Sequence, residues 1–527
     1  MKGRRCHWVR SPLGLKYRLD YSGPVPWNPR KNVVLRIVPQ FFNYARLLPL
    51  MECHMIADSD IEPETASSSA ATPTMEDLYN RGRLLPLYLC PFETFLRADS
   101  HADYPMAFVV VMRFTGQLKK QEFLTALKGS MDRHRILQCV VGKGKKDRLS
   151  WIHKKDLEVE VVWLRDGETI QCRPEFDDSK EAGVRVWVDQ GEEQVEVTFY
   201  FNHVSVDGVG AHIFIGDLFA IYANEVNGPG TAQLGELDPS LLKNRGYRQR
   251  YANLENTHSR TAWGSIKYGI KTALLARSQP LGIPKPDDSA PQSSIPYLRV
   301  FEETLSCDEH KKLRDVAIQF GATVNDILSA ESFKLFCDWN LQSKPRSHKR
   351  AFRIVLPTNL RGRGDDLMPA VNMTSYTFLI RKPDQCNDRI TLLKSVREET
   401  AKIKNKALGT EFIEAVSRAA STRWVLPLAT KLRARLGTIV LTNVGDPTRR
   451  YTCRIPRKKG ALIAGNLELD ACYGCPPLRK HTRATIAITT YKRKLTVSLR
   501  CDPSLYKQEH AEKMLRMFMD GLRSWIE

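Results

Sequence analysis

The sequence predicts an α/β protein made of two layered subdomains, each a mixed sheet flanked by helices. Three observations predict it. Strand and helix periods alternate on both sides of a segment, residues 277–296, that is rich in Pro, Ser and Asp and has no apolar period. Neither half shows a long run of strands alone or helices alone, which is the pattern of layered α/β architectures. With 527 residues and 42% hydrophobic composition, the chain is also too long for one simple core.

Residues 1–56 show no sustained period, and residues 57–75 are acidic and then Ser/Thr/Ala/Pro-rich. Residues 1–75 are therefore expected to form a basic, low-complexity, disordered leader, with the fold beginning near Met75. Met51, Met55 and Met75 each offer an alternative start. The most apolar stretch, residues 33–51, is broken by Arg36, Pro39, Arg46 and Pro49, so no transmembrane segment is expected. No signal-peptide pattern opens the chain, and a cytoplasmic protein is the expectation.

The N-terminal subdomain is assigned to residues 76–276. Residues 107–114 read as a β-rich strand, Gly116 punctuates it, and Phe123, Leu124, Leu127 and Met131 form a helical stripe over residues 119–134. Strands are expected at 158–163 and 184–188. Val195, Val197, Phe199 and Phe201 alternate through a half-buried strand at 194–201, and Phe214, Leu218, Ile221 and Tyr222 mark a helix from about residue 209. His203 and Asp207 thus fall on a strand-to-helix turn. After the linker, residues 297–527 form the C-terminal subdomain: a strand at 298–304, a helix at 309–320 and a second helix opened by Thr323 and running toward 339. Strands follow at 352–356, 375–380, 438–442, 484–490 and 495–500, and an amphipathic helix at 507–526 closes the chain. No sequence repeat relates the halves.

The formal charge of +21 comes from the first 50 residues and from runs at 243–250, 344–353, 449–459 and 479–483. Such a surface attracts anions: anionic lipid in peripheral contact, coenzyme A phosphates, or an acidic carrier protein. No specific nucleic-acid partner is expected. The twelve cysteines are scattered, as reduced thiols are. Cys472-Tyr-Gly-Cys475 has no second close pair, and only Cys453, His481 or Cys501 would be left to complete a tetrahedral site, so no metal is expected. There is no Gly-x-Ser-x-Gly elbow, and Gly142-Lys-Gly-Lys-Lys lacks phosphate-loop spacing, which argues against serine hydrolases and nucleotide hydrolases.

The chemistry-bearing segment is Asn202-His-Val-Ser-Val-Asp-Gly208. It resembles the HHxxxDG motif of the chloramphenicol acetyltransferase-like, CoA-dependent acyltransferase superfamily, which includes peptide-synthetase condensation domains, wax ester synthases and alcohol acetyltransferases. Other segments match in order from about residue 84 onward. Gly116-Gln-Leu-Lys, Leu127 and Arg133-His-Arg-Ile-Leu137 resemble the opening strand, helix and RHxxL turn. Ala322-Thr-Val-Asn-Asp-Ile-Leu-Ser-Ala330 is similar to a helix start of the wax ester synthase branch. Leu356-Pro-Thr-Asn-Leu-Arg361 with Asn372 resembles a P-x-x-x-R … N region, and Thr442-Asn-Val-Gly445 an SNVG turn.

The resemblance implies two chloramphenicol acetyltransferase-like subdomains in a pseudo-dimeric V, with the active site between them. It also implies transfer of an acyl group from a thioester to a hydroxyl or amine, with His203 as general base. Histidine suits that role because its ordinary pKa lies near neutral pH. Asp207 is then a structural residue turned away from His203 and paired with Arg361, Arg363 being the alternative. Read from the residues alone, Asp207 is a helix N-cap. Gly208 leaves room for a substrate channel or relieves a tight turn. Asn202 departs from the motif's first histidine. Asn372 and Asn443 are candidates for lining the site or for satisfying turn backbone, and His134 and His212 are expected to be structural. No tightly bound cofactor is implied. The co-substrate is acyl-CoA or a phosphopantetheinyl carrier protein, and the acceptor is a small molecule. The chain contains no Asp-Ser-Leu carrier site of its own. Two alternatives stay open: an amide-forming condensation enzyme, and an inactive member that binds anions or partners.

Overall fold

The computed structural model describes residues 5–10, 16–21, 74–81, 84–165, 167–171, 173–245, 278–284, 296–343, 350–405, 411–420 and 435–527. Two compact units divide the chain, residues 1–70 and residues 71–527. In the first, Arg5–Arg10 and Lys16–Tyr21 pair antiparallel. Tyr17, Leu19 and Tyr21 alternate over this short span, which lies within the expected leader and is too brief to make a sustained period. The remainder of the expected leader up to residue 73, including Met51 and Met55, lies outside the described residues, and Met75 opens helix Met75–Arg81.

In the second unit, a seven-stranded sheet runs Arg457–Lys458, Ala461–Ala464, Leu467–Cys475, Ala107–Thr115, Gln194–Asn202, Val184–Gln190 and Glu160–Leu164. Its pairs are antiparallel except the last, which is parallel. A six-stranded mixed sheet runs Phe301–Leu305, Lys494–Cys501, Ala484–Tyr491, Ile439–Gly445, Phe352–Asn359 and Thr374–Arg381. Ile439–Gly445 pairs parallel to both of its neighbours. Leu87–Tyr88, Leu149–His153 and Cys139–Lys143 form a small third sheet.

Helices Lys120–Arg133 and Gly208–Asn227 cover one face of the seven-stranded sheet, burying Phe123, Leu127, Phe214 and Leu218 against Val110, Met112, Val197 and Phe199. The other face buries Val109, Val111, Trp187 and Tyr200 with Leu298, Val300 and Ala487. Burial on both faces explains why residues 107–114 read as a nearly continuous apolar run. Helices Cys307–Gln319, Val324–Ser343, Arg389–Asn405 and Gln508–Arg523 cover the six-stranded sheet.

Two features cut across the sequence division. Strands Ala461–Ala464 and Leu467–Cys475 come from the second half but join the sheet of the first, where Leu467–Cys475 pairs with Ala107–Thr115. Residues 278–284, assigned to the linker, are packed: Leu281 is fully buried, and the Gly282 carbonyl accepts hydrogen bonds from Trp339 Nε1 at 2.9 Å and Tyr506 at 3.0 Å. The rest of that linker, except Pro296, lies outside the described residues.

The Cys472-Tyr-Gly-Cys475 pair sits within a strand. Three residues apart, the two thiols face opposite sides, Cys472 among the helix-packed residues and Cys475 among those of the other face, which no single metal ion could join. Burial pushes the Cys475 thiol up to about 12.

Candidate active site

Strand Gln194–Asn202 ends against Met106, whose carbonyl accepts from the His203 backbone amide at 2.8 Å. The chain then turns tightly. Asn202 Oδ1 accepts from the Val204 amide at 3.0 Å, the Ser205 hydroxyl donates to the Asn202 carbonyl at 2.8 Å, and the helix begins at Gly208. Asn202 is therefore a turn-former, an Asx arrangement a histidine at that position would not reproduce.

The His203 ring is buried and keeps 8% of the residue's surface open. Its Nδ1 lies 3.1 Å from the Val206 carbonyl. A carbonyl can only accept, so Nδ1 carries the proton and Nε2 presents its lone pair. Among the described residues Nε2 meets no hydrogen-bond partner. Phe108 packs edge-on to the ring at 5.1 Å. Burial holds the imidazole below its ordinary pKa, keeping it neutral at pH 7.

Asp207 makes contacts through both carboxylate oxygens. Its Oδ1 accepts from the Gly210 amide at 2.8 Å, capping the helix. Its Oδ2 receives Arg361 Nη1 at 2.8 Å, the Met373 amide at 2.7 Å and the Thr374 hydroxyl at 2.9 Å. Burial alone would raise this carboxyl, but the Arg361 guanidinium and the amide donors outweigh it and hold it below the usual range. All the carboxylate contacts run away from the imidazole, so Asp207 acts as a clamp. Arg361 also donates to the Val371 carbonyl at 2.6 Å; Arg363 is not the partner.

Gly208 has nothing within 4 Å of where a Cβ would stand, and its φ lies outside the left-handed region. The room beside it is real, and backbone strain does not demand glycine there. Gly210 is the constrained one, although the sequence reading passed over it: a Cβ would stand 2.7 Å from the Val371 carbonyl oxygen and 2.6 Å from Val206 Cγ2. Its signal is a glycine in the first turn of a helix, where no turn geometry calls for one.

Asn372 joins the site. Its Nδ2 donates to the His203 carbonyl at 2.6 Å, and its buried Oδ1 meets no hydrogen-bond partner among the described residues. Asn443 does not: its Oδ1 accepts from the Gly445 amide at 2.9 Å and its Nδ2 faces Asn325, which is the turn-satisfying alternative. His134 is structural, accepting from the Ala370 amide at Nδ1 and donating to Asp217 from Nε2. His212 is buried in helix Gly208–Asn227, and its Nδ1 meets no hydrogen-bond partner among the described residues.

Beside the turn, a cavity of about 400 Å³ is lined by Met106, Asn202 and Val204 together with Arg97, Phe176 and Asp178; His203 itself is not among its walls. Among the described residues no cluster of His, Cys, Asp and Glu is arranged to hold a metal ion, and no helix is long and apolar enough to cross a membrane.

No family model and no curated protein matches the chain. Solved structures do. The EpoB cyclization-docking bidomain from Sorangium cellulosum, in a rhombohedral crystal form, superposes with a TM-score of 0.58 at 15% identity, over 86% of this chain and 86% of that one. The first condensation domain of the calcium-dependent antibiotic synthetase, in complex with a substrate analogue, gives 0.57 at 12% identity over 84% and 96%. The starter condensation domain of the rhizomide synthetase RzmA, a double variant in complex with C8-CoA and Leu-SNAC, gives 0.55 at 13% identity over 85% and 96%. The chain therefore has the two-subdomain fold of these condensation-domain structures.

Proposed function

From that condensation-domain fold, we propose that this protein is an acyltransferase in which His203 is the general base. A thioester, as acyl-CoA or on a phosphopantetheinyl carrier, supplies the acyl group, and a small molecule with a hydroxyl or amine accepts it. The observation that carries the reading is the Nδ1–Val206 hydrogen bond, which leaves Nε2 as an unpartnered lone pair on a neutral, buried imidazole. As the acceptor oxygen or nitrogen attacks the thioester carbonyl, Nε2 takes its proton. The tetrahedral intermediate then collapses, the carbon–sulfur bond breaks, and the imidazolium returns the proton to the leaving thiolate. Asp207 and Arg361 hold the turn, and Asn372 fixes the His203 carbonyl. Asn202 and Val204, which flank His203, line the adjacent cavity, and we assign the acceptor or acyl chain to that side of the turn.

The complex of the rhizomide synthetase domain with C8-CoA and Leu-SNAC supports a thioester donor and, for that protein, an amine-bearing partner. This favours an amide-forming variant as the second reading. The test is to incubate purified protein with a panel of acyl-CoAs and acceptors and to follow free-thiol release. Activity in the wild type that is lost in a folded His203→Ala variant supports the proposal. Equal activity in both would defeat it and favour an inactive, partner-binding member of the fold.

A further inference from the structure

Arg135 follows the histidine of the Arg133-His134 pair, yet it makes none of the ion pairs that Arg133 makes with Asp217. It is 8% exposed, its Nε is buried with no hydrogen-bond partner, and among the described residues no carboxylate pairs with its guanidinium. Its guanidinium lies over the Tyr79 ring, 4.6 Å from the centroid. A buried, unpaired cation is costly, and proteins retain one where an anion arrives to meet it.

Arg135 lines a cavity of about 640 Å³, larger than the one beside His203. Lys145 and His153 line it as well, with Tyr79, Tyr88, Leu84, Leu85 and Pro86 as apolar walls, and no acidic residue is among the lining side chains. Lys145 sits on the turn between strands Cys139–Lys143 and Leu149–His153, where Lys143, Lys146 and Arg148 are also exposed and Arg148 lies over the Tyr88 ring at 5.1 Å. Lys145 belongs to the Gly142-Lys-Gly-Lys-Lys segment that fails as a phosphate loop, and it is the residue of that segment that lines the cavity. Burial, and then the Arg135 charge, hold His153 below its ordinary pKa against the opposing charges of Asp132 and Glu76.

We propose that this cavity is a binding site for an organic phosphate, with the phosphoryl oxygens on Arg135 and Lys145 and an aromatic or apolar body against Tyr79, Tyr88 and Leu85. One buried and one exposed cation, with no acid among the lining side chains, match a dianionic phosphate better than a carboxylate, and Arg135 offers the planar donor set that phosphate oxygens accept. The site shares no lining residue with the His203 turn, so its occupancy is independent of the acyl-transfer reading.

Thermal-shift and calorimetric titrations of the full chain with phenyl phosphate, inorganic phosphate and benzoate test it, on wild type, Arg135→Met and Lys145→Ala. The expected result is that phenyl phosphate stabilises and binds wild type, more tightly than inorganic phosphate and much more tightly than benzoate. Arg135→Met should abolish the shift while leaving the ligand-free protein at least as stable as wild type. Lys145→Ala, on an exposed turn where folding is not at stake, should weaken phenyl phosphate binding by about threefold or more. The proposal is overturned if neither phosphate binds wild type, if benzoate binds as well as phenyl phosphate, or if Lys145→Ala and a folded Arg135→Met both bind as wild type does.

Discussion

Arg361 Nη1 lies 2.8 Å from Asp207 Oδ2, tying the turn that carries His203 to a loop 154 residues further along the chain. Because the Met373 amide and Thr374 hydroxyl converge on the same oxygen, the carboxylate orders two segments at once. Arg361→Ala leaves that charge buried and unpaired, and it should cost about 3–5 kcal/mol, read as a lower urea midpoint. The carboxyl's folded pKa lies below its unfolded value, so its contribution is present above about pH 4 and is lost as pH falls further through the folded value. The wild type should therefore lose stability below about pH 4 more steeply than Asp207→Asn.

The second prediction concerns rate. Burial lowers the His203 pKa, so the base is already deprotonated below the usual histidine range. Once an acyl-CoA and acceptor pair is found, kcat/KM should rise with pH through an apparent pKa below about 6.5 and then stay flat through neutrality. A midpoint above about 7 would assign the titration to another group.

Two glycines two residues apart should respond in opposite ways. Gly210→Ala drives a methyl into the Val371 backbone and Val206, and it should destabilise by about 1–3 kcal/mol. Gly208→Ala meets nothing within 4 Å and should leave the melting temperature within about a degree or two, since surface-like changes with free space cost little. If substrate passes beside Gly208, its KM should rise instead.

His212 gives a pH test of the core. Burial, and then Arg450, lower its pKa to about 4. Its folded value lies below the unfolded one of about 6.5, so the stability it contributes is whole above about pH 6.5 and is lost as pH falls toward 4. The loss should amount to roughly 2–4 kcal/mol. His134 and His203 titrate in the same sense, so the comparison isolates His212 through a variant: His212→Met should show a flatter fall in urea midpoint between pH 7 and pH 4.5.

Elements with a strong local period were legible in the sequence. Strand 194–201, with its four alternating apolar residues, appears as Gln194–Asn202, and the stripe over 119–134 as Lys120–Arg133. Strand Leu467–Cys475 was missed because small and polar residues, Ala471, Gly474 and Asp470, interrupt its pattern; its burial comes from pairing with Ala107–Thr115, about 360 residues away in the chain. Helix Pro91–Asp99 was missed because it is short and opens with proline.

The sequence by itself determined the α/β class and the strand-to-helix turn at His203, through the resemblance of residues 202–208 and their collinear companions. Those signals are local periods and fixed spacings, which a linear chain carries. Tertiary structure alone decided that Asp207 faces Arg361 rather than His203, that Asn372 and not Asn443 meets the histidine, and that Arg135 is buried with no carboxylate partner among the described residues. Each of these depends on the placement of segments far apart in sequence. Burial and distance, which set every charge and hydrogen bond at the site, exist only once the sheets have packed.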